Sequence, residues 1–382
     1  MTEAKILEHL FAAAAPFIPQ GRVIDIREYG SGNVHDTFLV TVGRAHPALD
    51  SIGDQHFILQ RLNTRVFRRP EAVMGNMRTV TEQGLARNPP DPGRRWELPR
   101  VLLTPEGRDL WVDPDGFFWR ALSFIEGART FDTIRDLDHA REVGWALGIF
   151  HRLLSDLPPD RLADTLPGFH ETPGYLRRYD EVQAKHSYNR SPEADYGISF
   201  IRARRAWASV LEDAKAQGKL HLRPIHGDPK INNFMMDTLT GQAVSLIDLD
   251  TVKPGLVHYD MGDCLRSGAN LQGEETVDLE AVRFDSDICR AILQGYLSQA
   301  REFLTENDYE YLYDAIRVIA FELGLRFFTD YLEGNVYFKA RHEEHNLARA
   351  LVQFKLTESI ESQETGIRAI IRGLRRPVSF QQ

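Results

Sequence analysis

The sequence predicts an α+β protein with two lobes, in which a small strand-rich N-terminal lobe precedes a larger and mainly helical C-terminal lobe. Short apolar runs separated by turn residues occupy much of the chain up to residue 124. From Ile134 onward, apolar residues recur mostly at helical spacing. A chain of 382 residues is long enough for two hydrophobic cores. We therefore predict an N-terminal lobe of residues 1–124 and a C-terminal lobe of residues 125–382.

The N-terminal lobe is predicted to begin with a helix and to continue as a small sheet. Ile6, Leu7 and Leu10 give the first residues a helical apolar face. A second helix is predicted for residues 70–85, which open with Pro70, a residue favoured in the first helical turn. Strands are predicted for residues 22–28, 37–42, 56–62, 98–103, 109–112 and 117–124.

The C-terminal lobe is predicted to contain helices on both sides of a short hairpin. Residues 234–236 and 243–247 are apolar runs separated by a turn-forming stretch, which indicates strand, turn and strand. Residues 158–199 are interpreted as an insertion with one short helix. Helices are predicted for residues 134–157, 201–217, 279–302, 309–331 and 367–376.

Charge and composition exclude several classes of protein. The net charge of -9 provides no general basic surface of the kind that binds nucleic acid, so no nucleic-acid partner is expected. Only Cys264 and Cys289 are present, which favours a reducing compartment over a disulfide scaffold. The first residues lack the basic start and the long apolar run of a signal peptide, so none is expected, and without a run of about 18 apolar residues no transmembrane helix is expected. We predict a cytoplasmic protein that does not bind membranes.

The stretch from residue 225 to residue 263 carries the polar residues around which we expect the chemistry to be organised. Asp228 and Asn233 lie before the hairpin, and Asp248 follows its second strand. Because that strand returns to the loop, these side chains are expected to converge, with Lys230 among them. Carboxylate and amide oxygens beside a lysine make a site for Mg²⁺ and a phosphate. Asp250, on the same strand face as Asp248, is a second candidate metal ligand.

The order of these residues matches a known pattern. Protein-kinase-like phosphotransferases carry His-x-Asp-x-x-x-x-Asn and then an aspartate after the next hairpin, and residues 226–233 with Asp248 match it. The runs HGD and IDLD resemble the aminoglycoside phosphotransferase and choline kinase superfamily, small-molecule kinases built on the protein-kinase fold. Within it, the runs PKINN, IDLDTVKPGL, YDMGD and LRFFTDYLEGNVYFK look most like the N-acetylhexosamine 1-kinase branch. The resemblance covers nearly the whole chain.

The resemblance implies a reaction and roles for its residues. It implies transfer of the γ-phosphate of ATP, with Mg²⁺, to the anomeric hydroxyl of an N-acetylhexosamine, which gives a sugar 1-phosphate. Asp228 would accept the proton of that hydroxyl, and Lys230 would stabilise the transferring group. Asn233 and Asp248 would hold Mg²⁺. Matching positions in similar kinases imply that His226 braces the loop and that Asp260 anchors it.

The candidate nucleotide-binding residues come from three places in the sequence. Gly30, Ser31 and Gly32 form a glycine-bearing turn that could bring backbone N–H groups to phosphates. Gln60 and Arg61 occupy the strand where kinases place a phosphate-binding lysine, and either Glu71 or Glu82 could pair with the cation. Ser123 and Ile125 lie in the predicted connector between the lobes, whose backbone binds adenine in this family.

The acceptor contacts are predicted on two distant stretches, and the acceptor itself stays open. Asn33, His35 and Asp36 follow the glycine turn, while Arg326 and Tyr337 belong to the late stretch that resembles the sugar kinases. Three readings are compatible with the sequence: a sugar kinase, a kinase for another small alcohol of the aminoglycoside, choline or homoserine type, and a nucleotide-binding module without catalysis, which the glutamine at position 60 motivates. The oligomeric state and the preference between ATP and GTP are not determined.

Overall fold

The computed structural model describes residues 3–18, 21–30, 34–43, 55–87, 93–185 and 191–375. The predicted α+β class is confirmed, with most strands before residue 124 and most helices after it. The strands are β1 (Arg22–Glu28), β2 (Asp36–Gly43), β3 (Gln55–Arg61), β4 (Val101–Leu102), β5 (Trp111–Val112), β6 (Phe118–Ser123), β7 (Ala128–Arg129), β8 (Arg223–Ile225), β9 (Phe234–Asp237), β10 (Ala243–Leu246) and β11 (Lys253–Gly255). The helices are α1 (Glu3–Ala14), α2 (Pro70–Leu85), α3 (Leu137–Leu154), α4 (Thr172–Lys185), α5 (Pro192–Arg204), α6 (Val210–Ala216), α7 (Val257–Gly268), α8 (Ser286–Ala300), α9 (Glu306–Glu310), α10 (Leu312–Leu332), α11 (His345–Ser362) and α12 (Glu364–Arg375).

The first lobe is built on an antiparallel sheet with the strand order β1-β2-β3-β6-β4, and β5 also pairs with β6. One face of the sheet packs against α1, where Leu10, Val40 and Trp119 belong to the same buried cluster. Strands β3 and β6 are neighbours in the middle of this sheet, and their register places Gln60 opposite Arg120. Because side chains alternate between the two faces of a strand, Gln60 and Arg61 point to opposite sides of the sheet.

The larger lobe is centred on a close crossing of α3 and α8. Gly144 and Gly295 lie at this crossing, and a Cβ atom on Gly295 would lie 1.9 Å from the carbonyl oxygen of Arg141. The two backbones therefore touch without intervening side chains. Around this pair, buried side chains of α7, α10 and α12 pack with those of α3 and α8 in one hydrophobic cluster.

Two short hairpins position the polar residues of the larger lobe. Strands β9 and β10 pair antiparallel, with Leu246 opposite Phe234, which confirms the predicted hairpin. Strands β8 and β11 pair with Lys253 opposite Ile225. The loop after β8 and the loop after β10 are consequently held side by side. The last strand of the six-stranded sheet ends at Ser123, and the next strand, β7, pairs with the β9–β10 hairpin of the larger lobe. The division between lobes at residue 124 stays a prediction.

Three helix predictions were wrong. Residues 158–199, which were expected to contain one short helix, contain α4 and the first part of α5. The single helix expected over residues 201–217 is two helices, because α5 ends at Arg204 and a short 3-10 turn precedes α6. The helix expected from residue 279 begins at Ser286, where Asp285 caps it by accepting hydrogen bonds from the N–H groups of Asp287 and Ile288, each at 3.0 Å. Across the described ranges, we find no helix with both the length and the apolar character to cross a lipid bilayer.

Candidate active site

The loop after β8 is anchored by a buried aspartate. One oxygen of Asp260 accepts a hydrogen bond from the N–H of His226 at 2.7 Å, and the other accepts one from the N–H of Gly227 at 2.8 Å. His151 on α3 lies 2.8 Å from the first of these oxygens. Burial alone would raise the pKa of Asp260, but the hydrogen bond and the charge of His151 bring it below its usual value. The anchoring role predicted for Asp260 is therefore confirmed.

His226 and Gly227 join this loop to the β9–β10 hairpin. The Nδ1 atom of His226 accepts from the N–H of Asp228 at 3.2 Å, which leaves Nε2 to donate to the carbonyl of Ile247 at 2.9 Å. Gly227 has a φ of +90°, and a Cβ atom there would lie 2.6 Å from the carbonyl oxygen of Thr251. This position therefore requires glycine, and His226 braces the loop as predicted.

Asp228 presents its carboxylate beside Lys230. The Nζ atom of Lys230 lies 2.9 Å from Oδ2 of Asp228, and the two side chains are 38% and 27% exposed. The carboxylate of Asp228 raises the pKa of Lys230 well above its usual value, and Asp248 adds to the effect. A partly exposed carboxylate beside a permanent cation can accept a hydrogen bond from an incoming hydroxyl group.

Asn233 and Asp248 are held together by the main chain. The Nδ2 atom of Asn233 donates to the carbonyl of Asp228 at 2.7 Å, and the N–H of Ile247 donates to the carbonyl of Asn233 at 2.9 Å. Asp248 adopts the left-handed conformation with φ 67° and ψ 54°. Removal from water and the carboxylates of Asp250 and Asp228 raise the pKa of Asp248 to about 6.

The donor set at this hairpin fits Mg²⁺. Within the described ranges there is no ready-made cluster of three histidine, cysteine or acidic side chains. Mg²⁺ needs no such cluster, because it commonly binds one or two carboxylates and completes its shell with water and substrate phosphates. The crowding that raises the pKa of Asp248 is the kind of repulsion that a bound dication relieves. Asn233 and Asp248 are the residues that would hold it.

Asp250 is not free to be the second metal ligand that the sequence suggested. Its two carboxylate oxygens accept hydrogen bonds from Nη1 and Nη2 of Arg120 at 2.5 and 2.6 Å. Arg120 and Asp250 are 1% and 2% exposed, so this is a buried ion pair between β6 and the larger lobe. Burial alone would raise the pKa of Asp250, but Arg120 holds it well below its usual value. Asp250 is therefore a structural residue in this arrangement.

Gln60 and Arg61 were both predicted to contact phosphates, but their side chains hydrogen-bond to other protein groups. The Oε1 atom of Gln60 accepts from Nε and Nη2 of Arg120 at 2.9 and 2.7 Å, and its Nε2 donates to Thr37 at 3.0 Å. Arg61, on the opposite face of the sheet, pairs with Asp36 and lies over the ring of Phe117 at 4.8 Å. Gln60 is therefore bonded within the sheet, whereas Arg61 is 38% exposed and its charge is partly offset by Asp36.

Glu71 and Glu82 of α2, the two acidic residues predicted to pair with a phosphate-binding cation, do not pair with Arg61 or Arg120 among the described contacts. Among the described contacts, Glu82 pairs only with Arg78, and Glu71 has no ion pair. The carboxylates that pair with Arg61 and Arg120 come instead from Asp36 and Asp250.

The remaining residues predicted to bind the nucleotide lie in the glycine turn and at the connector between the lobes. Gly30 has a φ of +77°, as a glycine turn requires, whereas Ser31, Gly32 and Asn33 lie outside the described residues. The hydroxyl of Ser123 accepts from the N–H of Arg100 at 2.9 Å. The side chain of Ile125 is buried, and within the described ranges its N–H and carbonyl make no hydrogen bond. Hydrogen bonding of the main-chain N–H and carbonyl of Ile125 to the adenine base therefore stays a prediction.

The predicted acceptor contacts fall into two separate cavities. His35 and Asp36 line a cavity of about 380 Å³ next to α1, together with Arg61 and Trp119. His35 accepts from the N–H of Asn63 at 3.0 Å through Nδ1, and its Nε2 lies 3.4 Å from Asp250. His35 and Asp36 thus line a different cavity from Arg326 and Tyr337, and contact of either pair with the acceptor stays a prediction.

Arg326 and Tyr337 line a cavity of about 550 Å³ in the larger lobe, which we call the acceptor cavity. The guanidinium of Arg326 is surrounded by the rings of Phe169, Tyr175 and Phe338, at 5.1, 5.0 and 5.5 Å. Asp330 fixes the loop that carries Tyr337 by accepting from the N–H groups of residues 336–338 at 2.7 to 3.0 Å. One wall of the cavity is thereby rigid.

A histidine that the sequence did not single out connects this cavity to the catalytic loop. His170 follows Phe169 in the cavity wall, and its Nε2 donates to the carbonyl of Gly227 at 2.7 Å. Its Nδ1 lies 3.0 Å from Glu322, whose other oxygen accepts from Thr172 at 2.7 Å. Burial alone would lower the pKa of His170, but the carboxylate of Glu322 raises it above its usual 6.5.

This buried pair predicts a pH-dependent contribution to stability. Because the folded-state pKa of His170 is raised, the contribution is complete below pH 6.5 and is lost as the pH rises through the folded-state pKa. We compare the unfolding free energy of wild type with that of the His170→Gln/Glu322→Gln double variant. As the pH rises through the folded-state pKa of His170, this difference should fall by about 1.4 kcal/mol for each unit by which folding raises that pKa. Urea titrations from pH 6 to pH 9 measure it.

The control for this measurement is His221→Gln, which replaces an exposed histidine with no described partner. Its difference from wild type should not change with pH. A flat difference for the double variant over the same range would show that His170 and Glu322 are not an ion pair.

Comparison with known proteins agrees with this geometry. A sequence profile of the phosphotransferase enzyme family matches residues 25–297, well over half of the chain. Three solved structures of small-molecule kinases share the fold, although the identities are only 12 to 13%. A microcompartment-associated aminopropanol kinase is 13% identical, with a TM-score of 0.64 and coverage of 96% of this chain and 99% of that one. Choline kinase from Cryptosporidium parvum is 12% identical, with a TM-score of 0.57 and coverage of 97% and 100%.

The third structure is a spectinomycin phosphotransferase in complex with ADP and spectinomycin. It is 12% identical, with a TM-score of 0.51 and coverage of 98% of both chains. The predicted kinase-like fold is therefore confirmed, and so is the prediction of an enzyme of the phosphotransferase class. This chain belongs to the phosphotransferase enzyme family.

Proposed function

We propose that this protein is a Mg²⁺-dependent kinase that transfers the γ-phosphate of ATP to a sugar hydroxyl, the anomeric hydroxyl of an N-acetylhexosamine. The observation that carries the proposal is the joining of Asp228, Asn233 and Asp248 into one braced unit of loop and hairpin. Phosphoryl transfer requires positioning, positive charge and a group that orients the nucleophile. Asp228 can orient the nucleophile, and Asn233 and Asp248 can position Mg²⁺, which with Lys230 would supply the positive charge.

Each residue of the unit has a distinct part in the reaction. Asp228 accepts the proton of the acceptor hydroxyl and orients its oxygen toward the phosphorus atom. Lys230, which stays protonated, stabilises charge on the transferring group. Asn233 and Asp248 hold Mg²⁺, which neutralises charge on the phosphate oxygens when it is bound. His226, Gly227 and Asp260 keep the loop in place while the other groups react.

The charges of the acceptor cavity favour a sugar over an amine. Its three carboxylates belong to Asp164, Asp330 and Glu333, and all three are already paired. Asp164 lies 2.8 Å from Lys253, and Glu333 pairs with Arg178. Asp330 accepts from the loop that carries Tyr337. A cationic acceptor such as choline or an aminoglycoside would have to compete with these partners for a carboxylate, and the most accessible one, Asp164, is already beside Lys253.

A panel of acceptors tests this proposal. We expect ADP release with N-acetylhexosamines or simple hexoses, and at least about 100-fold lower kcat/KM with choline, aminopropanol, homoserine and aminoglycosides, because an unpaired charge costs several kcal/mol. Phosphorus NMR of the product should show an anomeric phosphate ester. Turnover of an amine-bearing acceptor in preference to every sugar would reject the sugar assignment.

The alternative is a module that binds nucleotide without catalysis. The observation in its favour is that Gln60 stands where a lysine is expected, and the nearest cation, Arg120, donates to both Gln60 and Asp250 and is not free to bind the phosphates. This alternative requires that ATP raises the unfolding temperature while no acceptor in the panel is phosphorylated. Turnover that Asp228→Asn abolishes would exclude it.

A further inference from the structure

The acceptor cavity contains three arginines whose side chains have no hydrogen-bond or ion-pair partner among the described residues. Arg68, Arg69 and Arg326 line the cavity, and none of them makes a hydrogen bond or an ion pair through its side chain within the described ranges. The fourth arginine in the wall, Arg178, pairs with Glu333. Four arginines and three carboxylates line the cavity, so its lining has one more positive than negative charge.

Arg326 is the most informative of the three because it is partly buried, whereas Arg68 and Arg69 are exposed. It emerges from α10 between Leu325 and Phe327, which are buried, and its charge lies among aromatic rings. Cation–π contacts at such a site give about 0.5–2 kcal/mol each, but they leave the five N–H donors of a guanidinium without acceptors. An arginine in this setting is suited to a planar anion, since its N–H groups match carboxylate and phosphate oxygens in pairs.

Arg326 is connected to the catalytic loop through Glu322 and His170. Glu322 lies one helical turn before Arg326 on α10, and through His170 it supports the carbonyl of Gly227. Burial alone would lower the pKa of Arg326, but Tyr175 and Glu322 raise it above its usual value, and Asp228 adds to the effect. Arg68 and Arg69 approach the same cavity from the segment that leads into α2. A molecule in the cavity would therefore lie between the guanidinium of Arg326 and the wall at Phe169, which His170 joins to the catalytic loop.

We propose that the acceptor carries an anionic substituent, a carboxylate or a phosphate ester, which binds to Arg326 with Arg68 and Arg69 while its reacting hydroxyl faces Asp228. This inference rests on the proposed kinase function and narrows its substrate class to acidic sugars. A cavity of about 550 Å³ has room for a hexose with such a substituent. No group other than the hydroxyl reacts, so the anion serves only for binding and orientation.

The test compares matched pairs of acceptors. Glucuronic acid is compared with glucose, and N-acetylglucosamine 6-phosphate with N-acetylglucosamine, since each pair differs by one anionic group. We expect at least one acidic sugar to show roughly 10- to 100-fold higher kcat/KM than its neutral partner, because a hydrogen bond to a charged group is worth about that factor. The first pair identifies a carboxylate site and the second a phosphate site.

Variants assign the effect to the arginines. Arg326→Met and the double variant Arg68→Met/Arg69→Met should each remove most of the preference for the acidic sugar, mainly through KM. Arg326→Lys should keep part of it, since charge remains but paired hydrogen bonding is lost. Arg65→Met is the matched control, because Arg65 is an exposed arginine of the same segment that does not line the cavity. It should leave both activities unchanged.

The outcomes separate this inference from the function on which it rests. If neutral sugars are phosphorylated as well as or better than both acidic partners, the anion site is rejected and the sugar kinase stands. If no sugar of either kind is phosphorylated, the proposed function fails. Calorimetric binding of glucuronic acid and N-acetylglucosamine 6-phosphate gives a readout that does not need turnover, and binding that Arg326→Met leaves unchanged also overturns the anion site.

Discussion

Replacing Asp228 by asparagine is expected to lower kcat by about 10²- to 10⁴-fold, the range that a general base contributes. Asparagine keeps the size of the side chain, but its amide cannot accept the proton of the acceptor hydroxyl. The main-chain contacts of the loop, from Asp260 to residues 226 and 227, do not involve the Asp228 side chain and should persist. Steady-state ADP release at saturating sugar and ATP measures the loss.

The matched control for this variant is Asp25→Asn, which removes an exposed carboxylate with no described partner from β1. It should keep full activity. Asp228→Asn should also bind ATP with nearly unchanged affinity and should unfold at a similar temperature. A residual kcat within threefold of wild type would mean that another group receives the proton.

Replacing Arg120 by methionine is expected to destabilise the protein by about 3–5 kcal/mol, the cost of leaving one member of a buried ion pair unpaired. In the variant, Asp250 would keep a buried carboxylate with only His35 nearby, at 3.4 Å. Gln60 would lose both of the hydrogen bonds that its Oε1 accepts. The free energy of unfolding from urea titration at pH 7 measures the effect.

Two further variants isolate the charge. Arg120→Met/Asp250→Asn removes both charges and should recover a large part of the lost stability, because buried pairs can often be replaced by uncharged groups at little cost. Arg100→Met removes an exposed arginine whose side chain has no described partner, and it should change the stability by less than about 0.5 kcal/mol. Equal losses in the single and double variants would show that packing around Arg120 matters more than its charge.

The chemistry of the catalytic loop could be predicted because it is local in sequence. His226, Asp228, Asn233 and Asp248 lie within 23 positions of one another, so a strand, a turn and a strand bring them together. The helix over residues 70–85 was likewise predictable, since Pro70 starts it and its apolar side chains repeat at helical spacing. In both cases the information lies in neighbouring residues.

The partners of Gln60 and Asp250 could not be predicted, because they depend on pairing between distant strands. Arg120 meets Asp250 across 130 positions and faces Gln60 only through the register of β3 and β6. One signal was present in the sequence: Arg120 interrupts the apolar run of β6, and a charge there requires a buried partner. Nothing in the sequence identified that partner as the residue we had taken for a metal ligand.

His170 was missed for a different reason. It has a φ of +67°, which is uncommon outside glycine, in a segment between helices that has no periodic pattern. Its two partners lie 57 and 152 positions away. Single histidines in loops are usually solvated, so only the folded arrangement distinguishes this one.

The close crossing of α3 and α8 affects the order in which the protein can fold. These helices are separated by more than 130 residues, and neither can bury its face at the glycines until the other is present. During synthesis the six-stranded sheet, complete at residue 123, can therefore form early, while α3 must wait for residues 286–300 to leave the ribosome. Until then its apolar face is exposed, so a chain truncated before residue 286 is expected to aggregate or to require a chaperone.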